Sequence, residues 1–478
     1  MEKVPVKKVS ILLWLVVASI FFAVQFAHAQ SISFAQTNPG NNNFLIDTQD
    51  FANVETSAYQ DALFSPSTSN NGYLYVAWGG PVNINSFGQI TSDSDFTDTT
   101  LVSNLSNDGG AQFADIYNNG TIDVVVLQQN SSAPDFYVFQ YLGNRKFGQQ
   151  QLLFSGTYPS NWYGYTLQAV VDLEGNGYPD IICRGLYYVG TTLEYETIIY
   201  WNNDGTFSAS DSTIIPNAYY EGAADWTGNG LKDLIMFSSQ SSSSGNGNPI
   251  EIYMQTSKGV FPSSPTYTFS GINGYGYAGF TGYGGTPTDA PIVIGNFTGK
   301  YPSFLAVQFN PVSSGTAANE IVLFSNNWIQ NGSGFTLLPV WTDNNTPQEG
   351  ISLMGSSADI NGDGNPNFVI DRGYEPYNYS TLEVWYTAPL DNAITFETQI
   401  ITSGDNSAQS YGYVGNLTNS GLADIENDGY VYYAYKDTPI PTPVFPTGGG
   451  GGGGGGAVDP VLIIPILALV YVKRKYRR

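Results

Sequence analysis

One short pattern recurs along this chain, and a chain assembled from copies of one unit folds by stacking those units. The pattern is clearest in SSADINGDGNPNFVI, residues 356–370, where Asp359, Asn361, Asp363 and Asn367 place side-chain oxygens around Gly364 and an apolar strand follows. Echoes are FADIYNNGTIDVVV at 113–126, VVDLEGNGYPDIIC at 170–183 and AADWTGNGLKDLIM at 223–236. Weaker copies are VGNLTNSGLADI at 414–425 and IGNFTGKYPSFLAV at 294–307, and the weakest is PSTSNNGYLYVAW at 66–78. The marker glycine falls at Gly72, Gly120, Gly177, Gly230, Gly364 and Gly421, with Tyr301 in that slot in the copy at 294–307. Copies about 55 residues apart define a repeat protein.

Within each unit the loop leads into an apolar strand such as DVVVLQQ (123–129) or DLIMFSS (233–239). A second strand follows, such as ETIIYWNNDG (196–205) or LEVWYTAPL (382–390), and then a turn into Phe87, Phe147, Phe207, Phe261, Phe335 or Phe396. With a third segment and the strand that enters the next loop, each unit holds four short strands and almost no helical period. Four-stranded units repeated in a ring predict an all-β fold, a seven-bladed β-propeller over residues 30–437. The last unit ends at YVYYAYK (430–436), so a strand from ISFAQ (32–36) or NNFLID (42–47) is expected to complete it and cover an open sheet edge.

The flanks are of another kind. Lys3, Lys7 and Lys8, an apolar run and Ala27-His28-Ala29 make residues 1–29 a secretory signal, whose cleavage removes the only histidine. Histidine catalysis and histidine metal sites are thereby excluded. Cys183, in PDIICRG, is the only cysteine; it reads as a buried strand position, and no internal disulfide can form. Residues 438–456 are a proline-rich then glycine-rich stalk ending in Gly448–Gly456. The apolar Ala457–Val472 and the basic KRKYRR at 473–478 predict a single transmembrane anchor with a cytoplasmic tail and the propeller outside. Removing the leader and tail leaves 8 of the 16 basic and 38 of the 40 acidic residues, a balance that excludes nucleic acid as a partner. The abundance of aromatic residues excludes disorder.

WYGYTLQAVVDLEGNGYPDIICRG, residues 162–185, resembles the FG-GAP repeat of integrin α-subunit propellers and their bacterial and archaeal relatives. In that family an aromatic-glycine pair precedes the first strand and a calcium loop joins the first two strands. Tyr163-Gly164 and Tyr411-Gly412 stand in the aromatic-glycine slot. The resemblance implies a propeller, and adhesion, carbohydrate binding and catalysis all occur on such scaffolds.

Alternating oxygen ligands about a glycine turn suit a hard cation. Three loops carry a full set: Asp172, Glu174, Asn176 and Asp180; Asp225, Thr227, Asn229 and Asp233; Asp359, Asn361, Asp363 and Asn367. Known calcium loops imply a further oxygen from the carbonyls of Tyr178, Leu231 and Asn365. A structural calcium ion at each is the expectation, and a turn held by side-chain-to-backbone hydrogen bonds is the alternative. The Asp115 loop has Tyr117 at a ligand position and the 294–307 copy has Lys300, so those are expected to be turns.

Function is expected on the opposite face, where the loops entering each first strand are rich in tyrosine. The candidates there are Trp162, Tyr163 and Tyr165; Tyr219 and Tyr220; Tyr275, Tyr277 and Tyr283; Tyr411 and Tyr413. A ring with a hydroxyl suits sugars and protein surfaces alike. Eight Asn-x-Ser/Thr sequons, at Asn104, Asn119, Asn130, Asn296, Asn331, Asn344, Asn378 and Asn416, make glycosylation chemically available. The expectation is a non-enzymatic, membrane-tethered surface protein that binds an extracellular glycan or protein. The alternative is a polysaccharide lyase or glycosidase using Glu221, for which no paired carboxylate is evident at a fixed spacing.

Overall fold

A computed structural model describes residues 32–436, except for connecting segments, of which the longest is 272–291. β1 (Ile32–Thr37) comes first. The first sheet takes β2 (Asp47–Ala52), β3 (Asp61–Ser65) and β4 (Leu74–Ala77) and, after a separate hairpin of β5 (Val82–Ile84) and β6 (Ile90–Asp93), β7 (Thr99–Ser103). The second holds β8 (Ala111–Ala114), β9 (Asp123–Gln129), β10 (Pro134–Phe139) and β11 (Gln151–Ser155). The third holds β12 (Trp162–Val171), β13 (Asp180–Val189), β14 (Thr192–Tyr200) and β15 (Ser212–Pro216). The fourth holds β16 (Ala218–Ala224), β17 (Asp233–Ser238), β18 (Ile250–Tyr253) and β19 (Tyr267–Phe269). In the fifth are β20 (Val293–Gly295), β21 (Ser303–Pro311), β22 (Ala317–Asn326) and β23 (Phe335–Thr342). The sixth comprises β24 (Glu349–Leu353), β25 (Phe368–Tyr374), β26 (Tyr379–Leu390) and β27 (Ala393–Asp405). In the last, β28 (Gly412–Gly415), β29 (Asp424–Asn427) and β30 (Tyr430–Lys436) are joined by β1, which pairs antiparallel with β30 from Ile32↔Lys436 to Thr37↔Val431.

Among the described residues this makes seven four-stranded sheets, but the expectation of a seven-bladed repeat is corrected. The marker loop lies between the first two strands in six sheets, not seven, so six blades carry the repeat. In the first sheet Gly72 falls instead between β3 and β4. The connection between β2 and β3 there is NVETSAYQ, residues 53–60, without a glycine at the marker slot. No helix among the described residues is long and apolar enough to cross a membrane, and the expected anchor is not among those residues. Residues 1–29, the stalk, Ala457–Val472 and the tail lie outside the described residues, as do Tyr275, Tyr277, Tyr283 and Tyr411.

Successive sheets meet face to face. Phe136, Val138 and Phe154 of the second sheet pack on Tyr165, Leu167, Cys183 and Tyr200 of the third. On the other face of the third sheet, Ile182, Ile199 and Trp201 pack on Ala218, Leu234 and Met236 of the fourth. A strand covered on both faces has no polar side to alternate with, which is why DVVVL and DIIC read as unbroken apolar runs.

A buried polar side chain at the start of each second strand, or just before it, ties that end of the strand to its loop, to the rest of the blade, or to both. Asp180 is fully buried, and its Oδ2 accepts the Leu173 N–H at 3.0 Å while Oδ1 accepts the Asn202 N–H at 3.0 Å. Asp233 does the same for Trp226 and Gln255, at 3.1 and 2.7 Å, and Asp61 for Val54 and Gly79, at 3.0 and 2.9 Å. Asp123 accepts from Tyr141 N–H, Asp424 from Ala434 N–H and Asn367 from Ile360 N–H. Ser303 Oγ accepts the Phe297 N–H in the degenerate copy. Asp61 thus reveals the true counterpart of the loop in the first sheet: residues 53–61.

Candidate binding surface at the end of the third sheet

The marker loops are closed by their own side chains. Asp172 accepts the N–H groups of Asn176 at 3.1 Å and Gly177 at 2.7 Å, and Asn176 Oδ1 accepts that of Tyr178. Asp225 accepts from Gly228, Asn229 and Gly230, with Asn229 Oδ1 receiving Leu231 N–H. Asp359 accepts from Asp363 and Gly364, and Asp363 from Asn365. The Asp115 loop, which lacks a ligand set, bonds in the same way through Asn119, Gly120 and Thr121. These hydrogen bonds account for the shape of all four loops.

The fit to calcium divides by position. The donors are oxygens throughout, which suits a hard cation, and Asp359, Asn361 and Asp363 lie together on an outer loop. The ninth position does not fit. Asp180, Asp233 and Asn367 are committed to buried backbone N–H groups, and the Asn367 Nδ2 is buried without a partner. Glu174 accepts from Asn176 Nδ2 within its loop and reaches toward the turn after β18, where a Cβ on Gly259 would meet its Oε1 at 2.9 Å. Among the described residues no group of three or more His, Cys, Asp or Glu is placed to hold a metal. Burial pushes the Asp180 carboxyl up to about 7 and that of Asp233 up to about 6, against the lowering effect of their backbone donors.

At the opposite end of the sheets the tyrosines separate into wall and surface. Tyr165 is fully buried, its hydroxyl 2.8 Å from that of Tyr200. Tyr219 is 6% exposed, packs on Phe237 and Tyr195, and its hydroxyl receives Asn248 Nδ2 at 3.2 Å. Tyr220 is half-buried against the core between the third and fourth sheets. Tyr413 lies on β28, paired with Glu426.

What remains open is the tip of the third sheet. β12 and β13 are each 10 residues long, against 4 and 7 for their counterparts β8 and β9. Near the tip the register slips between Trp162 and Gly164. The extra residue, Tyr163, has no cross-strand partner and turns out to 63% exposure, as a bulge requires. It meets Tyr188, 38% exposed, edge to face at 5.6 Å. Trp162 stacks on Tyr158 with ring centroids 3.9 Å apart and planes at 11°. Sequence reading singled out Trp162 and Tyr163 and missed Tyr158, Tyr187, Tyr188, Glu194 and Glu196. The two-residue turn Gly190-Thr191, with Gly190 at φ 67°, was the signal that the strands on either side stand directly opposite each other.

No protein-family model matches the chain, and no curated protein matches it either. Among solved structures, a mutant of the Aleuria aurantia lectin in complex with Fucalpha1-6GlcNAc aligns over 77% of this chain and 99% of its own, with 11% identity and a TM-score of 0.36. A GH43_12 retrieved from a capybara gut metagenome aligns over 78% of this chain and 87% of its own, with 9% identity and a TM-score of 0.27. The likeness is too slight to carry an argument; the succession of four-stranded antiparallel sheets itself makes the chain an all-β propeller, and membership of the FG-GAP family is not shown.

Proposed function

We propose that this protein is a glycan-binding β-propeller that uses the aromatic tip of its third sheet. The observation that carries this reading is Tyr163, exposed to 63% beside Tyr188 on a rigid, paired hairpin. Flat aromatic faces held by a ladder offer C–H contact to a sugar ring at little entropic cost, and the hydroxyls at their edges add direction. Val189, exposed next to Tyr188 at the same hairpin tip, extends this apolar surface, and contiguous exposed apolar surface marks a contact site. Display at a cell surface through Ala457–Val472 belongs to the same proposal, as does calcium held by Asp359, Asn361 and Asp363.

A glycan array probed with the purified full-length chain tests the reading. Hits on defined saccharides are expected, with Tyr163→Ala and Trp162→Ala each weakening them by about tenfold or more, some 1.4 kcal/mol. A blank array, or variants that bind as well as the parent, would refute it.

A further inference from the structure

Two cross-strand rows lie on one face at the tip of the third sheet. Pairing sets Tyr165, Gly185 and Glu196 in one row and Trp162, Tyr187 and Glu194 in the next. Glu194 and Glu196, two apart on β14, share that face, at a rise of about 6.8 Å. The face is the one turned to the second sheet, since Tyr165, Cys183, Ile198 and Tyr200 on it pack with Phe136 and Phe154. Glu196 is only 8% exposed, and among the described residues no group donates a hydrogen bond to its carboxyl. The ring of Tyr158, edge-on to Tyr165 at 5.8 Å, lines the same seam. A carboxyl held in such a seam without a donor is costly, by about 1 to 3 kcal/mol, and native structures keep such a group where something else completes it.

We propose that Glu196 and Glu194, beneath Trp162 and Tyr187, form a polar subsite for the hydroxyls of a neutral saccharide. The inference rests on the glycan reading above and names the class of sugar. A carboxyl accepts from a sugar hydroxyl in either protonation state and donates when protonated. An anionic sugar would set its charge against Glu194 on a chain of net charge −24. The rings of Trp162 and Tyr187 cover the apolar face of a hexose.

The test is isothermal titration of the full-length chain with neutral, acidic and amino saccharides chosen from the array. Neutral sugars are expected to bind, with Glu196→Gln and Glu194→Gln each weakening them about tenfold while melting within a few degrees of the parent. If Trp162→Ala abolishes binding while both glutamine variants bind like the parent, the subsite is refuted and the glycan reading stands. Binding confined to amino or acidic sugars refutes the subsite in the same way. If no sugar binds, both readings fall together. Should Glu196→Gln unfold the protein, Glu194→Gln, on the half-buried partner, decides alone: parental affinity refutes the subsite and a tenfold loss upholds it.

Discussion

Glu196 stands opposite Gly185 in the β13–β14 ladder, so close that a Cβ on residue 185 would come within 3.1 Å of its Cγ and 3.2 Å of its Oε1. The missing side chain is what lets the carboxyl lie flat across the strand. Gly185→Ala is therefore expected to lift Glu196 away, costing about 1 kcal/mol of stability and weakening any saccharide that uses it. Urea unfolding together with titration reads both effects. A variant as stable and as active as the parent would show that Glu196 has room elsewhere.

The buried acid that fastens each loop is expected to matter more than the acid inside the loop. Asp61→Ala leaves the Val54 and Gly79 N–H groups buried without acceptors, a loss of about 2 to 5 kcal/mol. Asp115→Ala removes acceptors for the exposed Asn119 and Gly120 N–H groups, which water replaces, and is expected to cost under about 1 kcal/mol. Denaturation midpoints of the two variants compare them, and a larger loss for Asp115→Ala would reverse the assignment.

Acid is expected to stabilise this fold. Burial raises the Asp61 and Asp123 carboxyls from 3.8 to about 6, so the folded state holds protons that the unfolded chain has released. The stabilisation is complete below pH 3.8 and is lost as pH rises through about 6, on the order of 2 kcal/mol for each group. Self-repulsion of a chain with net charge −24 acts in the same direction. Urea midpoints at pH 4.5 and 7.5 are expected to favour the acid condition, and Asp123→Asn is expected to narrow the difference. A higher midpoint at pH 7.5 would contradict the buried-acid account.

If Asp359, Asn361 and Asp363 hold calcium, an ion at ten times its dissociation constant stabilises the fold by about 1.4 kcal/mol. Melting is then expected to rise with millimolar calcium and fall with excess chelator, and Asp359→Asn with Asp363→Asn is expected to erase the difference. Superimposed curves for the parent chain would leave all three loops as hydrogen-bonded turns.

Ending the chain after Thr447 removes Ala457–Val472 and the basic tail, and the proposed anchor predicts release of the propeller into the medium. Retention of the shortened chain by washed membranes would mean that another segment holds it.

What is local could be read from the chain. Glycine and asparagine set the marker turns, apolar runs such as VVVL and DIIC set the doubly covered strands, and Cys183 was legible as a core residue, since each depends on a few neighbouring residues. The N-terminal strand that completes the last sheet was legible too, because an open edge demands a partner. Which side chains face where depended on how the strands pair in the folded blade. The first sheet kept the fastening acid, Asp61, while losing the glycine by which its loop was sought, because its partners Val54 and Gly79 come together only across the folded blade. Tyr163 and Tyr165 look equivalent in the chain, yet one is 63% exposed and the other fully buried. One slip of register at the bulge turns Tyr163 outward and sets Trp162 opposite Tyr187, and so places Trp162 in the row that ends at Glu194. A strand's side-chain period is two residues, so its faces are assigned by pairing and not by composition.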